Sequence, residues 1–435
     1  MGIQTKHFLN SSSVLVTESL EGLCTINPQV KLDAEQKVVY LAEPDRSKVA
    51  IICGGGAGHE PAHAGYVGKY IHAFHATYHV TCFKYRQWHA EWMKELHSDV
   101  LNFGLAKEQF AAEHAEKSDR VRFLVVGDDV AVGRSQGAIV GRRGLAGTVL
   151  VYKIAGALAR TGASLDDVYK TAEYVANHTA TIGVGSEHCH VPGTAASDSQ
   201  LGNNEIEIGM GIHNEPGAKR ISPVPSLHDL IQQLLDLLMS TTDPERSFLP
   251  LTGKVDELVL MVNNLGGLSE LELGAIVREV EKSLESRQVR VQRVLSGTFM
   301  TSLNMPGFSI TLLLLPSKSV PGPPADLLLR LIDAPTAAPG WKWSSGAPPA
   351  LVAAVQGDPA PAAKATAPVH AAHTIKLRAQ DPSAFNAAVE RACRAIDQAE
   401  PEITHMDNIA GDGDCGLTLQ SGAHGTPYPR VSAPY

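Results

Sequence analysis

Residues 54–61, with the sequence GGGAGHEP, form the first motif whose composition suits chemistry. Its glycines let the backbone turn tightly, so that amide N–H groups can approach a ligand oxygen. His59 leaves that turn beside Glu60 and Pro61. The motif is also compatible with a strand-to-helix turn that carries a structural histidine, so it does not define a site by itself.

A second histidine, His213, lies in EIEIGMGIHNEPG, residues 205–217. Alternation through Ile206 and Ile208 predicts a strand, and the glycines after it predict that His213 is exposed at the rim of a sheet. A neutral imidazole in such a place acts as a base, a metal ligand or a nucleophile. The spacing does not choose among these three roles.

Three aspartates, Asp407, Asp412 and Asp414, surround glycines in MDNIAGDGDCG. Carboxylates that converge on one turn repel one another unless a hard cation lies between them, and Mg²⁺ that holds phosphates is the usual case. No glutamate closes a twelve-residue loop, as an EF-hand would require. A solvated acidic loop remains the alternative to a metal site.

The chain around these motifs alternates predicted strands with predicted helices. Apolar runs at 48–53, 121–129 and 258–267 predict strands that end in turns, and residues 144–162 have the length and composition of a buried helix. Ser269 and Glu272 have the spacing of a capping box at the start of a further helix. The alternation predicts a wound α/β sheet.

Composition limits the classes of function. The chain is 44% hydrophobic and 19% charged with a net charge of -9, which argues against a basic surface for nucleic acid or for an anionic membrane. No window approaches the roughly 18 apolar residues of a membrane span. The six cysteines lie far apart, so we expect reduced thiols in the cytoplasm.

The length of 435 residues predicts more than one domain. Residues 342–372 are rich in Ala and Pro and too poor in large apolar groups to form a core, so they are a predicted linker. After it, Phe385, Val389, Cys393 and Ile396 recur at helical spacing. The predicted boundaries are 1–341, 342–372 and 373–435.

Taken in order, these motifs resemble those of the dihydroxyacetone kinase family of the two-domain, ATP-dependent type. The similarity runs through LEGLCTINPQV, GGGAGHEPAHAGYVGK, LNFGLA, VGDDVAVGR, VGRRGLAGTVL, EHCHVPG, EIEIGMGIHNEPG, MVNNLGGLSELEL and GTFMTSLNMPGFS, and then GDGDCG. The resemblance implies two α/β subdomains that form a dihydroxyacetone-binding domain over 1–341. It also implies a fragment of an all-α nucleotide-binding domain over 373–435.

By the same resemblance, His213 binds the substrate covalently, because its imidazole adds to the ketone carbonyl and forms a hemiaminal. His59 assists proton transfer, and Asp99 matches the carboxylate base of the family. The expected substrates are dihydroxyacetone and glyceraldehyde. The residues that the resemblance assigns to substrate binding are Gly56, Ala57, Gly58, His59, Lys94 and Asp99.

The resemblance also implies the use of ATP and Mg²⁺ by a cytoplasmic homodimer in glycerol and triose metabolism. Asp407, Asp412 and Asp414 match the family's metal ligands. The residues expected beside the nucleotide are Asp412, Gly413, Asp414, Cys415, Gly416 and Thr418.

Two departures from the family pattern lead to further expectations. Residues 70–98 look replaced, so we expect them to lack the strand that the sheet needs and to be the least ordered part of the domain. Their His72, His75, His79 and Cys82 are spaced like possible metal ligands on a helix. An altered gene model or splice product is the favoured explanation of the replaced segment, because a metal site also needs supporting residues around its ligands.

The second departure is that the family's nucleotide domain continues for more than a hundred residues beyond GDGDCG. We therefore expect covalent capture to persist and phosphoryl transfer to be near background. The alternatives to a kinase are a ketose-binding module without kinase activity and, as a third hypothesis, flavin nucleotide cyclisation.

Overall fold

The computed structural model describes residues 5–68, 74–77, 98–194, 201–253, 255–349, 381–410 and 414–425. The chain divides into two compact units, Met1–Val352 and Ala353–Tyr435. The first unit contains two β-sheets with helices, and the described part of the second is helical. The α/β fold class predicted from the sequence is therefore confirmed.

The smaller sheet of the first unit has four strands in the order β1-β2-β4-β3. Strands β1 and β2 are antiparallel, as are β2 and β4, whereas β4 and β3 are parallel. A small core beneath it includes Leu20, Val39 and Val67. The strands are β1 (Val30–Asp33), β2 (Val38–Leu41), β3 (Ile52–Gly55) and β4 (Phe74–Thr77), and α1 (Leu15–Ile26) packs against β1. Helix α2 (Ser98–Glu113) follows β4 in the chain.

The larger sheet has six strands, β5 (Thr179–Gly185), β6 (Ile206–Ile208), β7 (Lys219–Ile221), β8 (Glu257–Asn264), β9 (Arg290–Gly297) and β10 (Gly307–Leu314). Their order is β7-β6-β5-β10-β8-β9. Strands β8 and β9 are parallel, and the other neighbouring pairs are antiparallel. Every residue of β5 and β10 is buried. These two central strands therefore form the middle of the main core.

Six helices accompany the larger sheet: α3 (Arg134–Val140), α4 (Gly147–Arg160), α5 (Leu165–Asn177), α6 (Leu227–Met239), α7 (Glu270–Ser286) and α8 (Ala325–Asp333). Helix α4 is buried along almost its whole length because it packs against α5, α8 and the central strands. This explains its apolar sequence. The buried Asp128 accepts hydrogen bonds from the amides of Leu145 and Gly147 and from the Thr181 hydroxyl, and so joins the start of α4 to β5.

The second unit consists, in its described residues, of α9 (Pro382–Ala410) packed against α10 (Cys415–Gly425). Gly416 is buried where the two helices approach each other. A Cβ atom at this position would collide with the Thr404 hydroxyl and with the Glu400 carbonyl, 2.6 Å away. Glycine is therefore required by helix packing, whatever else this residue contacts.

Several predicted elements are confirmed, and three predictions are wrong. The helix at 144–162 is α4, the strand at 258–267 is β8, and the capping box of Ser269 and Glu272 begins α7. Residues 121–129 form no strand, and within them Asp129 makes only an isolated bridge to Thr181. The strand predicted at 48–53 begins later, at Ile52.

The third wrong prediction concerns residues 70–98, which were expected to lack a strand. Strand β4 lies within this segment and hydrogen-bonds to both β2 and β3, so it completes the smaller sheet. Four residues of extended backbone are enough for this pairing, and such a short run is hard to recognise from periodicity. Most of the residues to which the expectation about order applies lie outside the described residues.

Among the described residues, no helix combines the length with the apolar composition that crossing a membrane would require.

The capping box of α7 gives a prediction about stability. The Ser269 hydroxyl oxygen accepts the Glu272 amide, while the Glu272 carboxylate accepts the Ser269 amide. We expect Ser269→Ala to lower the free energy of unfolding by about 1 kcal/mol, measured by urea denaturation. Ser286→Ala at the other end of α7 is the control, because its hydroxyl donates to the carbonyl of Ser283 and caps no amide of the first turn. Equal stability of the two variants would contradict the prediction.

Candidate active site

The loop that carries His213 follows β6 and is shaped by a tight turn. The amide of Gly211 donates to the Glu215 carbonyl at 3.0 Å, and the amide of Asn214 donates to the Gly211 carbonyl at 3.2 Å. Asn214 has a positive φ of 62°, which Asn tolerates better than most residues. The turn leaves the His213 side chain 56% exposed.

Neighbouring segments hold this loop at several points. The Asn214 side chain accepts the Cys189 amide at 2.9 Å and donates to the Cys189 carbonyl at 3.0 Å. The Ser302 hydroxyl donates to the Ile212 carbonyl at 2.6 Å. Arg143 donates to the Gly209 carbonyl at 2.9 Å. The backbone on both sides of His213 is therefore fixed.

Arg143 is itself held by a buried carboxylate. It lies 2.6 Å from Asp129, whose side chain is 1% exposed. Burial raises the pKa of Asp129 to about 6, although the nearby guanidinium and its hydrogen bonds act in the opposite direction. Arg143, held by Asp129, therefore connects the loop after β6 to the residues just before α4.

The turn that carries His59 is paired with residues 301–303. The Leu303 amide donates to the Gly58 carbonyl at 2.8 Å, and the Thr301 amide donates to the His59 carbonyl at 3.1 Å. Gly58 has a φ of 103°, and a Cβ atom there would lie 3.3 Å from the Leu303 side chain. Glycine is therefore needed both for the backbone angle and for the close approach. His59 is buried, with only 4% of its surface exposed.

The two histidines meet through their ring nitrogens. Nε2 of His59 lies 2.9 Å from Nε2 of His213, and the rings meet at 71° with their centroids 4.7 Å apart. Both side chains line one cavity of about 340 Å³. The His63 side chain also lines this cavity, and its Nδ1 lies 2.8 Å from the Tyr152 hydroxyl.

The hydrogen bonds decide where protons lie on this pair. His59 Nδ1 contacts the Thr301 carbonyl at 2.8 Å, and a carbonyl oxygen only accepts, so Nδ1 carries a proton. His213 Nδ1 lies 3.0 Å from a Glu215 carboxylate oxygen, which also only accepts while it is charged. The Nε2–Nε2 contact is then favourable when one proton lies between the nitrogens.

The carboxylate of Glu215 stays ionised in this arrangement. Its second oxygen accepts the backbone amide of His213 at 2.9 Å. Burial alone would raise the pKa of Glu215, but the hydrogen bonds and the attraction of the His213 ring outweigh it and bring the pKa to about 2. Glu215 therefore orients the ring of His213 and stabilises a positive charge on it.

His59 is the neutral member of the pair. Burial, and secondly the nearby ring of His213, lower the pKa of His59 to about 4. Since this is below the ordinary value of 6.5, the unfolded chain takes up the proton more readily than the folded one. The stability that neutral His59 contributes is complete above about pH 6.5 and is lost as the pH falls toward 4. At neutral pH, Nε2 of His59 is a proton acceptor.

The other residues assigned to the substrate are only partly described. Gly56, Ala57 and Gly58 lie in the turn with His59. Asp99 is the second residue of α2, and Phe103 of the same helix lines the cavity. Lys94 and the Asp99 side chain lie outside the described residues, as do the side chains of the possible metal ligands His72, His75, His79 and Cys82.

Sequence reasoning missed three groups that the structure brings to the histidines. Glu215 stands two residues after His213. This short spacing could have indicated that the carboxylate contacts the imidazole. Asn214 is adjacent to His213, but its role depends on contact with Cys189, which is distant in sequence. The Thr301 carbonyl belongs to the backbone, so no residue type could indicate it.

In the second unit, two of the three aspartates are described. Asp407 accepts the Cys415 amide at 3.0 Å, and the Asp414 carbonyl accepts the Thr418 amide at 2.9 Å as α10 begins. Asp414 is exposed and Asp407 is partly buried, whereas Asp412 and Gly413 lie outside the described residues. Within the described part of the chain, no three acidic, His or Cys side chains cluster as metal ligands. Asp407 near the end of α9 and Asp414 before the start of α10 both remain accessible to solvent. Such carboxylates suit Mg²⁺, which prefers oxygen ligands and retains waters.

Comparison with known proteins identifies the family. A model of the Dak1 domain matches residues 21–76 and 92–340. A dihydroxyacetone kinase of Pichia angusta is 38% identical over 97% of this chain and 71% of its own length. The chain belongs to the dihydroxyacetone kinase family. The match to the family model omits residues 77–91, within the segment that departs from the family pattern.

Two solved structures of the dihydroxyacetone kinase family and its relatives are similar in fold. The dihydroxyacetone kinase from C. freundii in complex with AMP-PNP and Mg²⁺ aligns with a TM-score of 0.64 and 27% identity, over 97% of this chain and 74% of that one. The dihydroxyacetone kinase operon co-activator Dha-DhaQ aligns with a TM-score of 0.60 and 26% identity, over 75% of this chain and 98% of that one.

The lowered pKa of His59 can be measured directly. We expect the ring resonances of His59, assigned with His59→Gln in a ¹³C-histidine-labelled sample, to show no titration between pH 5.5 and 8. In His213→Ala the pKa should rise but stay below 6.5, because one of its two causes is removed and burial remains. A His59 resonance that titrates near 6.5 in the unmodified chain would contradict this assignment.

Proposed function

We propose that this chain captures dihydroxyacetone as a hemiaminal on His213 and acts as an ATP-dependent dihydroxyacetone kinase. The observation that carries the capture step is the contact of 2.9 Å between Nε2 of His213 and Nε2 of the neutral His59. A nucleophilic nitrogen beside a base is the arrangement that covalent catalysis requires. Glyceraldehyde, which also has a carbonyl group, is a second substrate of the same chemistry.

The capture step balances without protons from solvent. In the resting state His213 carries a proton on each ring nitrogen and donates Nε2–H to His59. When His59 takes this proton, the lone pair left on His213 Nε2 forms a bond to the ketone carbon and the C=O π bond breaks. The resulting alkoxide takes the proton back from His59. The product has a hydroxyl group and an N-substituted imidazolium whose Nδ1–H still pairs with Glu215.

This step would make the site selective for carbonyl compounds. A triose offers few groups for contacts, so one reversible bond fixes its hydroxyl in place for phosphoryl transfer. Glycerol has no carbonyl carbon and cannot form the bond. The amides of Gly56 and Ala57 in the turn are suited to hold the ketose oxygens. The amide of Gly58 donates to the Glu60 carboxylate at 2.9 Å, so Gly58 would contribute to this site through the shape of the turn.

Two further residues of the substrate domain have proposed roles that rest on the family motif. Asp99, at the start of α2, would act as the base for the hydroxyl that attacks the phosphate. Lys94 would bind the substrate. The position of Phe103 on the cavity wall supports this arrangement, because it brings α2 to the cavity.

For the nucleotide, Asp407, Asp412 and Asp414 would hold Mg²⁺, and Gly413, Cys415, Gly416 and Thr418 would lie beside the phosphates. When bound, Mg²⁺-ATP supplies the phosphoryl group, and the metal neutralises its charge. The Asp407 carboxylate already accepts the Cys415 amide at 3.0 Å, so its position is fixed relative to the start of α10. The likeness to a kinase that binds AMP-PNP and Mg²⁺ supports this assignment.

A ketose-binding module without kinase activity is the second candidate. It is supported by the likeness to the co-activator Dha-DhaQ, 98% of which aligns with this chain. Both candidates require capture by His213, and only the kinase requires ATP turnover. A coupled assay for ADP formation in the presence of dihydroxyacetone therefore separates them. Turnover supports the kinase and overturns the expectation that phosphoryl transfer is near background, whereas capture without turnover supports the ketose-binding module.

Capture can be tested with ¹³C-carbonyl-labelled dihydroxyacetone. We expect the full chain to convert the bound carbonyl resonance into that of a tetrahedral carbon, and His213→Ala to abolish this signal. His228→Ala is the matched control, because His228 is also exposed and pairs with a glutamate, Glu279, at 2.7 Å. A tetrahedral signal that survives in His213→Ala would contradict covalent capture at this residue.

The role of Glu215 can be separated from that of His213. We expect Glu215→Gln to weaken dihydroxyacetone binding roughly tenfold, because a neutral amide does not stabilise the imidazolium of the adduct. The adduct should also form over a different pH range, which a purely structural role would not cause. Glu279→Gln is the control for the loss of a histidine partner. Unchanged affinity and pH profile in Glu215→Gln would show that Glu215 does not act on His213.

A further inference from the structure

The cavity that holds the two histidines continues along one face of α4. Thr148, Val151 and Ala155 line it at intervals of three and four residues, which places them on one side of the helix. At 1.5 Å per residue they span about 10 Å. The cavity is therefore longer than a three-carbon ketose.

The walls beyond the histidines are mainly apolar. Val168 and Ala172 contribute from α5, Ile51 from the residues before β3, and Val126 from the residues before α3. The two arginines on the lining also have other contacts: Arg122 forms an ion pair with Asp166 at 3.0 Å, and the guanidinium of Arg142 lies 3.4 Å from the ring centre of Phe248. The buried Nη2 of Arg142 has no hydrogen-bond partner among the described residues. The extension thus offers apolar contacts to a ligand.

The volume leads to the same conclusion. At about 340 Å³ the cavity lies within the range of pockets that enclose drug-sized molecules, which begins at roughly 300 Å³. Dihydroxyacetone has only six heavy atoms and fills a small part of this space. A ligand that places its carbonyl carbon at His213 can direct a longer substituent along α4.

We propose that the chain binds α-hydroxy ketones with an apolar tail, such as 1-hydroxy-2-alkanones of six to eight carbons, more tightly than dihydroxyacetone. The proposal rests on the proposed capture of carbonyl groups by His213 and extends it to a new substrate class. The carbonyl carbon bonds to His213 Nε2, and the tail lies between α4 and α5.

The test is isothermal titration calorimetry of the full chain with 1-hydroxy-2-ketones of increasing length. We expect the affinity to rise about fourfold for each methylene, the factor that corresponds to burial of a CH₂ group, until the cavity is filled. In Ala155→Leu, where the larger side chain occupies the cavity, the ratio of long-chain to short-chain affinity should fall at least tenfold. Ala155→Ser keeps the size of the side chain and should keep the ratio.

Ala172→Leu fills the cavity from α5 and provides a second variant if Ala155→Leu does not fold. If dihydroxyacetone forms its adduct but affinity does not rise with chain length, the extension is refuted and the proposed capture stands. An equal rise in the wild-type chain and in both leucine variants would place the tail elsewhere and also refute the proposal. If no ketone forms an adduct, the capture step itself fails, and the proposal fails with it.

Discussion

The hydrogen bond between His59 Nδ1 and the Thr301 carbonyl, 2.8 Å long, determines the chemistry of the whole site. A carbonyl can only accept, so this contact fixes the tautomer of His59 and turns the lone pair of Nε2 toward His213. Burial keeps that nitrogen neutral by lowering its pKa to about 4. A base is thus held 2.9 Å from the nitrogen that must lose a proton.

Much of the surrounding structure serves to keep this contact in place. His59 lies in the turn after β3 of the smaller sheet, and His213 lies in the loop after β6 of the larger sheet. The loop after β9 supplies the Thr301 carbonyl and, through Ser302, a hydrogen bond to the backbone beside His213. Glu215 then orients the second ring from its exposed side. Three strand ends from two sheets therefore meet at one pair of nitrogens.

Sequence patterns were enough to single out His59 and His213 as candidate site residues and to predict the α/β class, because both inferences depend on local signals. The glycines around His59 and the short strand before His213 are visible within a dozen residues. The capping box of α7 is equally local. Resemblance to the family added the roles, which neither spacing nor composition could choose.

Other features escaped prediction because they depend on distant contacts. The Thr301 carbonyl acts through a backbone atom, and Asn214 acts through Cys189. The apolar run at 121–129 suggested a strand, yet strand formation requires a partner, and only Asp129 makes a bridge in the described structure. Strand β4 was missed because its four residues show no strand pattern of their own. It forms because β2 and β3 provide partners for its backbone.

The central claim is that His59 carries its proton on Nδ1 and accepts one from His213 through Nε2. The most direct measurement is ¹⁵N NMR of the ring nitrogens at pH 7 in the full chain, with the two residues assigned through His59→Gln and His213→Ala. We expect a protonated Nδ1 on both rings, with one further proton shared between the Nε2 atoms. A His59 ring protonated at Nε2 and bare at Nδ1 would contradict the account.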